Sequence, residues 1–169
     1  RVGRGDLLQK QLKAQRGSRA IQVQGAHTFG SIIRASGYVK DLAGVWATWR
    51  EMKTRHIMPT SITLGCMVEA LVTNGEVEAG YELIREAIAD PQTRGLVNAV
   101  IYCSVLKGLS HQKRFDRVWS VYQEMLQEQM QFSIVTYNTL IDACARSCEM
   151  GRIPPLLKDM ARQQIEPNV

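Results

Sequence analysis

The chain has 169 residues, of which 45% are hydrophobic and 22% charged, and its net charge is +5. This composition excludes collagen, low-complexity disorder and a coiled-coil rod. No apolar run approaches the roughly 18 residues of a membrane span, so no membrane partner is expected. Because the first residue is Arg1 rather than Met, we expect a piece of a longer protein.

The positive charge is concentrated in residues 1–25, which carry six Lys and Arg side chains and one Asp, whereas residues 26–169 are neutral. A basic segment can bind phosphate, since Lys and Arg release counterions from nucleic acid. A solvated helix face explains the same charges equally well. We predict that this basic amino-terminal segment is a cap or the end of an earlier structural unit.

The remaining sequence repeats itself. Equivalent large apolar residues are separated by 35, 38 and 35 positions, at Phe29, Leu64, Tyr102 and Tyr137. A second column keeps the same register, at Met52, Met125 and Met160, with Ala87 in the slot between the first two. Two columns in register indicate a true repeat rather than chance similarity of amphipathic helices. The predicted repeats span 26–60, 61–98, 99–133 and 134–168, and residue 169 begins a further one.

Each repeat reads as two helices. Breaks between them are predicted at Gly37, Asn74-Gly75, His111–Arg114 and Arg146–Cys148, and Pro59 and Pro167 end two repeats. The second repeat has three extra residues around 90–95, which predict a loose loop. Pro154-Pro155 fit only the first turn of a helix, so the last helix should begin late. Stacked helix pairs share one core, and the predicted fold class is all-α, a right-handed α-solenoid of antiparallel helix pairs.

Four cysteines lie at positions 66, 103, 144 and 148. A chain this long and helical does not fit a secreted disulfide framework. Cys144 and Cys148 could share one helical turn, but a structural zinc site needs two further ligands and the three histidines show no paired spacing. We therefore predict core thiols in a reducing compartment, with no metal and no cofactor.

The fourth repeat carries the string IVTYNTLIDACARS, then LLKDMARQQIEPN, within 134–168. Together with the period, the Val135–Ile141 start, Met160 and the Ile165–Asn168 end resemble the pentatricopeptide repeat. The resemblance covers residues 26–169, is good in the third repeat and is degenerate in the first two. The 34-residue tetratricopeptide repeat fits less well, because its period and its small-residue positions are not matched.

The resemblance implies an RNA-binding role: such repeats bind single-stranded RNA at roughly one base per repeat. In the family, the fifth and last residues of a repeat read the base and the second residue wedges against it. Carried over, the base-reading set is Asn138, Asn168, Cys103, Ser133, Asn98 and Thr60. The wedge set is Val135, Val100, Ile62 and His27. Paired Asn138 and Asn168 imply a pyrimidine, with cytosine the first choice.

Several positions depart from this pattern. Gly30 and Gly65 occupy fifth positions without a side chain, and Cys103 is a poor donor. Four residues beyond the fifth position, the charges cancel, at Arg34, Glu69, Lys107 and Asp142. One turn further, Arg146 and His111 are the predicted phosphate contacts. We therefore expect weak RNA affinity from this segment alone.

No sequence motif of a phosphate loop, zinc protease or serine hydrolase is present, so the chain is not expected to be an enzyme. Three hypotheses remain. The first is a single-stranded RNA-binding adaptor in a mitochondrion or plastid, as the resemblance implies. The second is a protein-binding scaffold in an organellar ribosome or RNA-processing complex. The third is the RNA-recognition arm of a larger processing enzyme.

Overall fold

The computed structural model describes Lys10 and residues 25–166, and it divides the chain into two compact units after Val97. Unit 1 contains α1 (Ala26–Tyr38), α2 (Leu42–Thr54), α3 (Ser61–Thr73), α4 (Val77–Ala89) and a 3-10 turn (Arg94–Leu96). Unit 2 contains α5 (Ala99–His111), α6 (Phe115–Gln127), α7 (Ile134–Ser147), a 3-10 turn (Met150–Arg152) and α8 (Ile153–Arg162). The described residues contain no strand, which confirms the all-α prediction. The basic segment 1–25 lies almost entirely outside them.

The first helices of the four predicted repeats begin at Ala26, Ser61, Ala99 and Ile134. Within each unit these first helices pack on one another, α1 on α3 and α5 on α7, and each also packs on its own second helix. None of the helices in the described part of the chain is long and apolar enough to cross a membrane.

The turn inside each helix pair uses one left-handed residue. Lys40, Gly75, Lys113 and Cys148 have φ of 59°, 92°, 59° and 60°, and they are separated by the same 35, 38 and 35 positions as the apolar columns. The next residue bonds back across the helix end, as in Arg114 N–H to Leu109 O at 2.9 Å. Such turns satisfy the carbonyls at the end of a helix. The backbone conformation of these turns therefore recurs with the same spacing as the buried apolar residues.

The turns between helix pairs also contain a recurring left-handed residue, at His56, Gln129 and Gln164. The equivalent position in the second repeat is Pro91, whose ring fixes φ near −65° and excludes this conformation. The chain instead forms the 3-10 turn at Arg94–Leu96. The predicted loose loop is wrong, because side chains organise it: Thr93 Oγ1 donates to Ala87 O at 2.9 Å.

Two other predictions concern helix ends. α8 begins late, with proline at its first positions and 10 residues rather than 13, which confirms the prediction from Pro154-Pro155. The predicted break at Gly37 is wrong, since α1 continues to Tyr38. Gly37 instead lies against α3, where an added Cβ would be 2.7 Å from the Ala70 Cβ. Glycine is required here for close helix packing.

Aromatic residues and their hydroxyl groups fill the core of unit 2. The Tyr122 and Phe132 rings lie 5.8 Å apart, and the Phe132 and Tyr137 rings also lie 5.8 Å apart. Tyr137 Oη donates to Asp159 Oδ2 at 2.6 Å, and burial followed by this bond raises the pKa of Tyr137. The equivalent tyrosine of the preceding repeat donates in the same way, from Tyr102 Oη to a glutamate of α6 at 2.6 Å.

Candidate nucleic-acid interface

The second residue of each first helix is exposed. Ile62, Val100 and Val135 are 58%, 61% and 44% exposed, and His27 is also exposed. A single exposed aliphatic side chain needs no explanation. Three such side chains at one repeat position are not scattered, and they form three of the eight exposed large hydrophobic residues in the described part of the chain. These first turns offer stiff apolar surfaces suited to lie against a flat ring.

The fifth residues differ from one another. Asn138 is exposed on α7, one turn after Val135 and on the same face. Its amide could therefore contact the edge of a base that packs against Val135. Cys103 is only 2% exposed, and its thiol donates to Thr136 Oγ1 at 3.6 Å. Burial raises the pKa of this thiol. Cys103 therefore packs between α5 and α7, and this corrects its predicted role as a base reader.

The glycines at fifth positions have a packing explanation. A Cβ on Gly30 would lie 3.5 Å from Thr63 Cα and 3.7 Å from Cys66 Sγ, so the small residue brings α1 near α3. Gly65 is half-buried on α3. Neither position presents a side chain to a nucleotide, as the sequence predicts.

The last residue of each of the first three predicted repeats is the N-cap of the helix that follows. Thr60 Oγ1 accepts from Thr63 N–H at 3.2 Å, and Asn98 Oδ1 accepts from Val100 and Ile101 N–H at 3.0 and 3.2 Å. Ser133 forms a capping box with Thr136. This capping role was not predicted, although Ser, Thr or Asn before an apolar helix is its usual signal. The cap on Asn98 uses only the carbonyl oxygen, and the Nδ2 donor is not part of it. Asn168 lies outside the described residues.

The predicted phosphate contacts have different surroundings. Arg146 Nε lies 2.7 Å from Asp142 Oδ2 in an exposed ion pair, so part of its charge is already matched. His111 is the exposed last residue of α5. Arg34 Nη2 donates to Cys66 Sγ at 3.3 Å, and Lys107 is exposed. The basic groups on this face are few and one is paired.

All four cysteines are thiols; Cys66, Cys103 and Cys144 are buried and Cys148 is exposed. Within residues 25–166, no group of three or more His, Cys, Asp or Glu side chains could hold a metal ion.

Comparisons with known proteins place these features in a family. The profile described as PPR repeat family matches residues 97–146, and the profile described as PPR repeat matches residues 135–163. A chloroplastic pentatricopeptide repeat-containing protein of Arabidopsis thaliana is 28% identical over 64% of this chain and 14% of its own length. The chloroplastic pentatricopeptide repeat-containing protein 10 of Zea mays is 32% identical over 62% of this chain and 13% of its own length.

A third relative is the small ribosomal subunit protein mS39 of Bos taurus, 30% identical over 43% of this chain and 11% of its own length. The chain thus spans about one seventh or less of these relatives.

Solved structures agree on the fold. The crystal structure of the pentatricopeptide repeat protein PPR10 in complex with an 18-nucleotide psaJ RNA element matches with a TM-score of 0.78 at 15% identity, over 98% of this chain and 24% of that one. PPR10 from maize matches with a TM-score of 0.71 at 18% identity, over 94% and 22%. At these identities the likeness concerns the fold alone. Profiles, relatives and fold agree with the repeat register and end motif, and residues 97–163 match the pentatricopeptide repeat family.

Proposed function

We propose that this chain is a single-stranded RNA-binding segment of an organellar pentatricopeptide repeat protein, without catalytic groups of its own. The observation that carries the proposal is the recurrence of exposed Ile62, Val100 and Val135 at one repeat position. Exposed apolar side chains are poorly solvated by water, and an unstacked base can pack against them. The match to a structure solved with RNA, and the chloroplastic names of two relatives, support the RNA and a plastid or mitochondrial location.

Base reading is assigned mainly to the fourth repeat. Asn138 is exposed beside Val135, and an amide offers one donor and one acceptor to a base edge. Asn168 is the proposed second reader. Asn98, Ser133 and Thr60 can contribute only while capping their helices, and Cys103 is left out because it is buried. His111 and Arg146 are the proposed phosphate contacts. We therefore expect one well-read nucleotide and weak selectivity elsewhere.

The test is binding of the full chain to short single-stranded RNAs that differ at one nucleotide, at two salt concentrations. Asn138→Ala should cost about tenfold in affinity for the preferred RNA, because a lost base contact costs roughly 1–3 kcal/mol. The loss should be confined to one nucleotide position. Val135→Ser should weaken all RNAs alike, since stacking tolerates every base.

Matched controls lie on another helix face. Gln123 is an exposed amide and Leu126 is a 42% exposed aliphatic, both on α6. Gln123→Ala and Leu126→Ser should leave the ranking of RNAs and their affinities unchanged. If Asn138→Ala behaves like Gln123→Ala, the base-reading assignment is wrong. If no RNA binds at low salt, RNA binding by this segment is wrong.

A protein scaffold is the second candidate. It is favoured by the packing roles of Gly30 and Cys103, which remove two fifth positions from base reading, and by the similarity to a small ribosomal subunit protein. This candidate predicts that Asn138→Ala leaves association with a ribosomal fraction unchanged.

A further inference from the structure

Unit 1 contains a cavity of about 330 Å³ beside α2 and α4. Its lining includes Trp49, Met58, Pro59, Leu64, Glu86 and Ala87. Leu64 and Trp49 are 2% and 4% exposed and form the floor, while Met58 is 53% exposed and Glu86 is exposed at the mouth. The cavity thus combines an apolar floor with polar and charged groups, Glu86 among them, which is a common arrangement for ligand sites.

In unit 2, aromatic side chains occupy the position equivalent to this cavity. Each residue of α1–α4 has an equivalent 73 positions later, as Leu64 has Tyr137. Three lining residues correspond to aromatic residues of unit 2: Trp49 to Tyr122, Pro59 to Phe132 and Leu64 to Tyr137. The other two correspond to Asp159 (from Glu86) and Met160 (from Ala87). There the three rings lie in contact at 5.8 Å, Met160 is 1% exposed, and the phenol of Tyr137 donates to Asp159.

Three substitutions therefore explain the cavity in unit 1. Proline replaces a phenylalanine, leucine replaces a tyrosine, and alanine replaces a methionine, and each is the smaller side chain. The carboxylate is kept as Glu86, but Leu64 has no hydroxyl group to donate to it. The pocket retains the acceptor for a phenol and lacks the phenol.

We propose that this cavity receives a tyrosine side chain from a partner protein, with the ring between Trp49 and Leu64 and the phenol donating to Glu86. Aromatic side chains supply large apolar area at low entropic cost, and their hydroxyl seeks a partner when buried. Among the lining side chains, the two carboxylates Glu86 and Asp90 outnumber the one lysine, Lys53. This excess disfavours nucleic-acid phosphate. The exposed Met58 continues the apolar surface that a protein segment would cover.

The test uses the full chain and two peptides, acetyl-Gly-Gly-Tyr-Gly-Gly-amide and its Phe counterpart, with the indole N–H resonance of Trp49 as the reporter. The Tyr peptide should shift this resonance and bind about tenfold more tightly than the Phe peptide, because it adds a hydrogen bond to a charged acceptor. Glu86→Gln should reduce this preference. Glu82→Gln, at an exposed carboxylate on the same helix, should not change it.

Filling the pocket provides a second arm. Leu64→Tyr copies the residue of unit 2 and should abolish peptide binding while raising the thermal midpoint by about 2–4 °C. Ala87→Met is the alternative if Leu64→Tyr does not fold, and it should also block the peptide. The proposal is overturned if the filled variants bind the peptides as before, or if both peptides bind equally. It is also overturned if a short single-stranded RNA, rather than the peptide, shifts the Trp49 resonance. RNA binding through the first helices is unaffected by any of these outcomes.

Discussion

The two units use one backbone plan with two kinds of core. In unit 1, Gly30 and Gly37 bring α1 close to α3, and a cavity is left between α2 and α4. In unit 2, the residues at the same positions are Cys103 and Ser110, both buried, and aromatic rings occupy the equivalent of the cavity. The shared part is the set of helix ends and turns. A repeat can therefore exchange its core contents while its register is held by the turns.

The largest expected effect concerns the close contact that only unit 1 has. Gly37→Ala should lower the free energy of unfolding by about 1–3 kcal/mol, because the new Cβ would lie 2.7 Å from Ala70 Cβ, a stiff neighbour. Urea unfolding followed by circular dichroism measures the change.

The matched control is Ser110→Ala at the equivalent position of unit 2. The Ser110 Oγ is buried and has no hydrogen-bond partner within the described part of the chain, so its removal should leave stability unchanged or raise it. Equal destabilisation by the two variants would contradict the difference in helix packing.

The next effect concerns the hydroxyl that only unit 2 has. Tyr137→Phe should lower the free energy of unfolding by about 1–2 kcal/mol, because a buried bond to the Asp159 carboxylate is lost. Urea unfolding at neutral pH measures it, with Tyr38→Phe as the control, since Tyr38 is 80% exposed.

The raised pKa of Tyr137 adds a pH signature. Because the folded state holds this proton more tightly, stability should fall as pH rises above the ordinary tyrosine value of about 10. Tyr137→Phe should weaken that alkaline loss. Part of the loss should persist, because burial also raises the pKa of Tyr122. An unchanged alkaline profile in Tyr137→Phe would contradict the assignment.

The third prediction tests the turns that both units share. Lys113→Gly should raise the free energy of unfolding by about 0.5–1 kcal/mol, because glycine enters the left-handed region without a Cβ penalty. Gly75→Ala should lower it by about 1 kcal/mol for the same reason. Thermal and urea unfolding measure both. Changes of the same sign in the two variants would count against a common turn.

The smallest effect concerns charge on the proposed RNA face. Asp142 pairs with Arg146 in unit 2, whereas the equivalent residues of unit 1, Glu69 and Thr73, cannot form this pair. Asp142→Asn should raise RNA affinity about two- to fivefold and steepen its salt dependence, because Arg146 gains a free charge for phosphate. Filter binding at two salt concentrations measures it. Glu69→Gln should give a smaller gain, and an equal gain would show that the Asp142 pairing is irrelevant.

Much of the fold could be predicted because its signals are local. Apolar columns set the repeat, and Pro154-Pro155 set the late start of α8. The left-handed residues could not be predicted from Lys40 or Lys113, since lysine carries no turn signal. The packing of Gly37 depends on Ala70, and the burial of Cys103 depends on Thr136, both distant in sequence. Of the candidate site, Val135 and Asn138 are exposed, as contact with a base requires, whereas Cys103 is buried.

Pro91 has a consequence for how such arrays change length. It cannot adopt the backbone shape found at His56, Gln129 and Gln164, and the residues after it close their own turn through Thr93 and through a bond from Ser61 Oγ to Leu96 O at 2.7 Å. The three additional residues lie in this turn, and Asn98 then caps the next helix, which begins at Ala99. Because the turn is closed by its own hydrogen bonds, we expect it to accept inserted sequence such as an epitope or a sensor loop.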